Sequence, residues 1–133
     1  MSSHALPCSL VEMDSPVSFE QTVARLETAI RAAALTVIAR LDHAGGARSV
    51  GLELPPTLVL VYGHPNGGTP IMQAHPSAAL DLPLRVLIRG GDDGRTVVAF
   101  HPVVEMLVRH GVPEVLARRL EPAQALISRA LQA

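Results

Sequence analysis

Three groups of side chains in this sequence have the types and spacing to do chemistry. His64, Met72 and His75 fall in one segment, and Met72 and His75 stand three apart, on one face if the segment is helical. Imidazole and thioether together suit Cu(I) or haem iron, which would make the chain a metal or haem carrier. No HxH, HExxH, CxxC or CxxCH spacing accompanies them, so Met72 reads equally as core and the histidines as turn residues, and no cofactor is expected. A second group, Asp42-His43 and Asp81 with Ser49 or Thr69, could supply the acid–base groups of a hydrolase-like enzyme. It lacks a nucleophile elbow, and both aspartates would serve as well in a cap or turn. The third is Gly63-His64-Pro65-Asn66-Gly67-Gly68-Thr69, whose backbone N–H groups could cradle an anion at a helix start. It lacks the Lys-Ser/Thr ending of a phosphate loop and reads first as a structural turn.

Composition removes other chemistries. All eleven basic residues are arginine, so no Schiff-base lysine and no phosphate-loop lysine can be built. Twelve acids against eleven arginines give a formal charge of −1, and no basic block is longer than Arg118-Arg119. With Phe19, Tyr62 and Phe100 as the only aromatic residues, neither the charge footprint nor the stacking platform of a nucleic-acid binder is present. Cys8 is the single cysteine; placed in an N-terminal strand, it reads as an inert, half-buried thiol. No apolar run approaches the ~18 residues that span a bilayer, no membrane partner is expected, and the cytoplasm is the default location.

These groups need elements to position them. Ser9 to Met13 alternates as a short strand. Ser18 with Gln21 forms a capping-box pattern ahead of a helix over about 19–33, with Phe19, Val23, Leu26, Ile30 and Ala33 on one face. Leu35 to Asp42 alternates again as a strand. Residues 43–51 read as a small-residue connection, Ala-Gly-Gly-Ala, with room for one turn of helix. Leu58 to Tyr62 is apolar on both faces and is expected at the centre of the sheet. Thr69 should cap a short helix with Pro70 at its first position, ending near Ala74, and Ser77 to Leu80 makes a further turn. Leu82 to Arg89 and Thr96 to Phe100 form a hairpin turned at Asp93-Gly94. Pro102 to His110 is helical and stops at Gly111, Pro113 restarts it, and Pro122 opens a last amphipathic helix. The pattern predicts an α+β fold: one mostly antiparallel sheet with helices packed on one face. It also predicts one domain over residues 1–133, with residues 1–7 as a flexible tail.

The blocks DHAGGARSVGLEL (42–54), PTLVLVYGHP (56–65), GTPIMQAHPSAALDLPL (68–84) and RHG (109–111), with SFEQTV at 18–23, resemble the uncharacterised family known as domain of unknown function 302. The resemblance covers nearly the whole chain and implies a fold related to the TATA-box-binding-protein-like class, often dimeric, with no settled activity. Two positions depart from the family pattern. His64 stands where an Asn is usual, and Phe100-His101-Pro102 replaces a Tyr-Asn-x-Pro, which removes a phenol.

The functional expectation is a homodimeric small-ligand-binding or accessory protein for an unidentified small molecule. Its pocket is expected between the 43–51 connection, the 63–72 loop and the Asp81-Leu82-Pro83 turn, with His43, Ser49, Gly63, His64, Asn66, Thr69, Met72 and Asp81 lining it. The homodimer is expected because 48% of the residues are apolar and the mean hydropathy is +0.30, more than one sheet-and-helix layer covers on both sides.

Overall fold

A computed structural model describes residues 9–91 and 93–132; Cys8 and His4 lie outside them. Five strands form one sheet in the order β1-β5-β4-β3-β2, with every neighbouring pair antiparallel. The strands are β1 (Val11–Ser15), β2 (Thr36–Asp42), β3 (Thr57–Gly63), β4 (Leu84–Gly90) and β5 (Thr96–Phe100). β1 starts two residues later than its alternation predicts, because Val11 to Ser15 are the residues in register with Phe100 to Thr96. The apolar run at 58–62 is interior, as expected, but the central strand is β4.

Strands β1 and β2 are opposite edges, so the chain between them must cross the sheet. It does so as α1 (Phe19–Ala32), which packs over β4 and against the last helix. Both halves of the capping box form: Gln21 N–H donates to Ser18 Oγ at 3.2 Å, and Ser18 N–H donates to Gln21 Oε1 at 3.3 Å. Val23, Leu26 and Ile30 face the sheet and are buried against Leu58, Leu60, Tyr62, Val86, Ile88 and Val98. The remaining helices are α2 (His43–Ser49), α3 (Pro65–Ala74), α4 (Val103–Val108), α5 (Glu114–Ala117) and α6 (Glu121–Ala130), with 3-10 segments at Pro76–Asp81 and Arg118–Leu120. All the helices lie on one face of the sheet. The other face carries the alternate residues Val59, Val61, Leu87 and Val97, half-buried, with Leu41 exposed.

Two helices depart from their expected bounds. The 43–51 connection is helical over seven residues, because Asp42 caps it: its Oδ1 accepts from Gly45 N–H at 2.9 Å. Helix α3 starts five residues before Pro70. His64 is its N-cap, with Nδ1 accepting from Asn66 N–H at 3.1 Å, and Pro65 takes the first position, where a missing N–H costs nothing.

Helices α1, α2 and α4 end in the same way. In each, a residue two or three positions past the end is in the left-handed region, and two backbone bonds wrap the last turn. Gly51 (φ 79°) and Gly111 (φ 81°) hold that position after α2 and α4; Ala34 (φ 62°) holds it after α1. Neither glycine would have a neighbour within 4 Å of an added Cβ, so the backbone angle alone explains them.

Candidate functional site

The antiparallel register decides which loops meet. Thr36 pairs with Gly63 and Asp42 pairs with Leu58. The end of β3 at Gly63 therefore lies beside the start of β2, and Tyr62 pairs with Leu84 at the start of β4. At that end of the sheet, under α3 and α6, lies a cavity of about 790 Å³. Its walls are Ala33 to Leu35 and Ile38 from the α1–β2 joint, Gly63 to Thr69 and Met72 from β3 and α3, and Leu82 to Leu84. Arg119, Leu120, Pro122, Ala123, Leu126 and Arg129 of the C-terminal helical stretch complete it.

Local sequence shapes each wall. Ile38 is the extra residue of a β-bulge between Val37 and Ala39, which turns it out of the regular pleat. Gly67 and Gly68 are poor helix formers placed inside α3, yet an added Cβ on Gly67 would stand 3.0 Å from Leu120 Cδ2. An added Cβ on Gly68 would meet Leu82 Cδ1 and Met72 Cε at 3.6 Å. The paired glycines let α3 approach Leu120 and leave the space beside Leu82 and Met72 empty. The Leu82–Pro83 peptide is cis. Tyr62 forms the floor; its hydroxyl donates to Ala123 O at 2.9 Å, and burial pushes its phenol well above the ordinary range.

Five of the eight residues expected at the site line this cavity: Gly63, His64, Asn66, Thr69 and Met72. His43 and Ser49 do not. They sit on α2 at the Leu58 end of β3, five residues along the strand and so roughly 17 Å away. Ser49 Oγ donates within its own helix, to Gly46 O at 2.6 Å. A smaller hollow at that end is lined by Asp42, Ala44 and Arg48 among others, without His43 or Ser49.

Asp81 is also outside the cavity, and its imidazole partner is His110 rather than His43. Asp81 Oδ2 lies 2.6 Å from His110 Nε2, and Ser77 Oγ lies 3.2 Å from His110 Nδ1. One tautomer serves both contacts: Nε2–H donates to the carboxylate while Nδ1 accepts from the hydroxyl. The expected Asp42, His43 and Asp81 set is thus split between the two ends of the sheet. The expected His64, Met72 and His75 set is divided too, because only the first two reach the cavity. Among the described residues, no three His, Cys, Asp or Glu side chains are grouped to hold a metal ion.

Sequence reasoning missed the C-terminal wall. Arg119 was visible only as half of the longest basic block, and Arg129 only as a charge three residues from Leu126 at the border of an apolar stripe.

The family model described as Domain of unknown function DUF302 matches residues 11–133. The chain is 32% identical over 103 residues to the fluoride-specific ion channel FluC 1 of Brucella suis, over 77% of this chain and 41% of that protein. It matches the FluC 1 channel of Brucella abortus to the same degree, over 38% of that protein. The chain therefore spans about two fifths of the length of the curated relatives it matches. The crystal structure of an uncharacterized conserved protein DUF302 from Bacillus stearothermophilus superposes with a TM-score of 0.77, covering 92% of this chain and 94% of that one. At 16% identity that likeness shows the fold. Among the described residues, no helix is long and apolar enough to cross a membrane.

Proposed function

We propose, from the premise that this chain belongs to the DUF302 family, that it is a homodimeric protein of the cytoplasm that holds a small molecule in the cavity at the Gly63 end of its sheet. One observation carries this reading. The cavity of about 790 Å³ is within the size range of small-molecule sites, and apolar walls with a few polar groups at the edge are what such sites have. The site residues are Gly63, His64, Asn66, Thr69 and Met72, joined by Arg119 and Arg129. A single cysteine, with no disulfide framework, suits a reducing compartment. A fold related to the TATA-box-binding-protein-like class would bring no nucleic-acid partner with it, since near-neutral charge and three aromatic residues argue against one. The test is mass spectrometry of small molecules released from purified, denatured protein. A compound retained by the native chain and lost in Gly68→Leu, which would place a side chain against Leu82 and Met72 in the cavity wall, supports the reading. An unliganded protein that also binds no member of a metabolite library overturns it.

A second reading concerns the protein's place in the cell, and its support is the Brucella relatives. They carry the name of a fluoride channel over a length of which this chain matches only part, and among the described residues no helix is long and apolar enough to cross a membrane. On this reading the chain corresponds to a part of those proteins outside their pore and is accessory to a fluoride channel. Deleting its gene should lower growth in millimolar fluoride. Unchanged fluoride tolerance, with no co-purification of a channel, would count decisively against it.

A further inference from the structure

The charges around the cavity are one-sided. Of the residues that line it, Arg119 and Arg129 are cationic and none is acidic, in a chain whose formal charge is −1. Four of the other arginines are matched by carboxylates. Arg40 meets Glu27, Arg89 meets Glu12, Arg95 meets Asp14 and Asp93, and Arg118 meets Glu114 and Glu121. Among the described residues, neither Arg119 nor Arg129 has a carboxylate within 4.0 Å. Both come from the helical stretch whose Leu120 and Leu126 form an apolar wall, so a cation and an apolar surface are presented together. Asn66 and Thr69 of α3, which also line the cavity, offer further hydrogen-bond donors at an exposed rim. The one phenol is not available to a ligand, because Tyr62 already donates to Ala123 O.

We infer that the cavity takes an amphipathic anion, with an apolar body packed on Leu35, Leu82, Leu120 and Leu126 and a carboxylate or phosphate head held by Arg119 and Arg129. The inference rests on the reading of the cavity as a ligand site and names the chemistry of the ligand. Guanidinium–carboxylate and guanidinium–phosphate hydrogen bonds are the strong, directional ones, and they supply the selection for charge. The apolar walls supply most of the affinity. A cation, or a polar neutral metabolite, would lose one or both of these contributions.

Titration calorimetry of the purified chain with dodecanoate, dodecyl phosphate and dodecanol, each below its aggregation limit, separates the possibilities. The anions should bind at least about tenfold more tightly than the alcohol, a difference of one charged hydrogen-bonded contact. The tighter of the two identifies the head group. Arg119→Gln and Arg129→Gln, both at exposed positions, should each weaken the anions about tenfold and leave the alcohol within about twofold. Gly68→Leu should remove binding of all three. Equal binding of alcohol and anions, or arginine variants that bind the anions as the parent does, would overturn the inference and leave the cavity as a site for neutral apolar molecules. No binding of any of the three would remove the ligand site itself.

Discussion

Ala34 is the residue that most plainly breaks a local rule. It holds the left-handed position after α1 that Gly51 and Gly111 hold after α2 and α4. A Cβ there costs about 1–2 kcal/mol, offset in part because glycine has more freedom to lose on folding. Ala34→Gly should therefore stabilise the protein by about 0.5–1 kcal/mol. Gly111→Ala, at the equivalent position, should destabilise it by about 1 kcal/mol. Urea titration of the two variants reads both signs. Tyr62 gives a second residue-scale prediction. Its phenol is raised by burial, so above pH 10 the unfolded chain releases a proton that the folded chain keeps. The folded state then binds more protons, and stability falls as pH rises, by up to about 1.4 kcal/mol per pH unit. The chain has no lysine and no other tyrosine, so few groups share that range. Tyr62→Phe should lose about 1 kcal/mol at neutral pH, from the bond to Ala123 O, and should lose most of the alkaline slope. A slope unchanged in the phenylalanine variant would refute the assignment.

At the scale of elements, His110 joins two pieces that the sheet does not hold. It follows α4, and through Asp81 and Ser77 it ties that helix to the 3-10 segment at Pro76–Asp81. His110→Ala leaves a half-buried carboxylate without its imidazole and should cost about 1–3 kcal/mol, with faster amide exchange in both pieces. This pair also shows what the sequence could and could not reveal. Helix α1, its capping box and the Asp93-Gly94 hairpin were legible because their signals lie within a few residues of one another. The one-sided helix layer was legible from the strand and helix order. Asp81 and His110 are 29 residues apart with no spacing rule to connect them, so their pairing leaves no signal in the sequence. The start of α3 was obscured by Gly67-Gly68, whose low helix propensity is overridden by close packing against Leu120. Half of the site was legible because Gly63 to Met72 is one continuous stretch. The other half depends on register: pairing Thr36 with Gly63 and Asp42 with Leu58 sends 43–51 to the far end of the sheet.

For the whole molecule, the question is what covers the face of the sheet that carries no helix. The register places Leu41, Val59, Leu87 and Ala99 in one row across four strands, with Glu12 at its β1 end. Ala39 and Val61 lie beside them in the next row, and Arg85 and Arg89 flank Leu87 on β4. Five strands spaced about 4.8 Å apart, each some 20 Å long, give a face of roughly 500 Å² before side-chain relief is added. That approaches the ~800 Å² per partner of an ordinary interface. A second copy is the proposed occupant, because a two-fold pairing sets the same apolar row against itself and closes the assembly at two chains. Light scattering at micromolar concentration should give twice the 14.1 kDa of one chain. Leu87→Arg, at the middle of the row, places a charge in the interface and should bring the mass down to that of one chain, with the helical circular dichroism retained. Leu80→Arg, at an exposed leucine on the helical side, should leave the dimer intact. A single-chain mass for the parent protein would show the face to be open in solution, and a Leu87→Arg dimer would move the interface elsewhere.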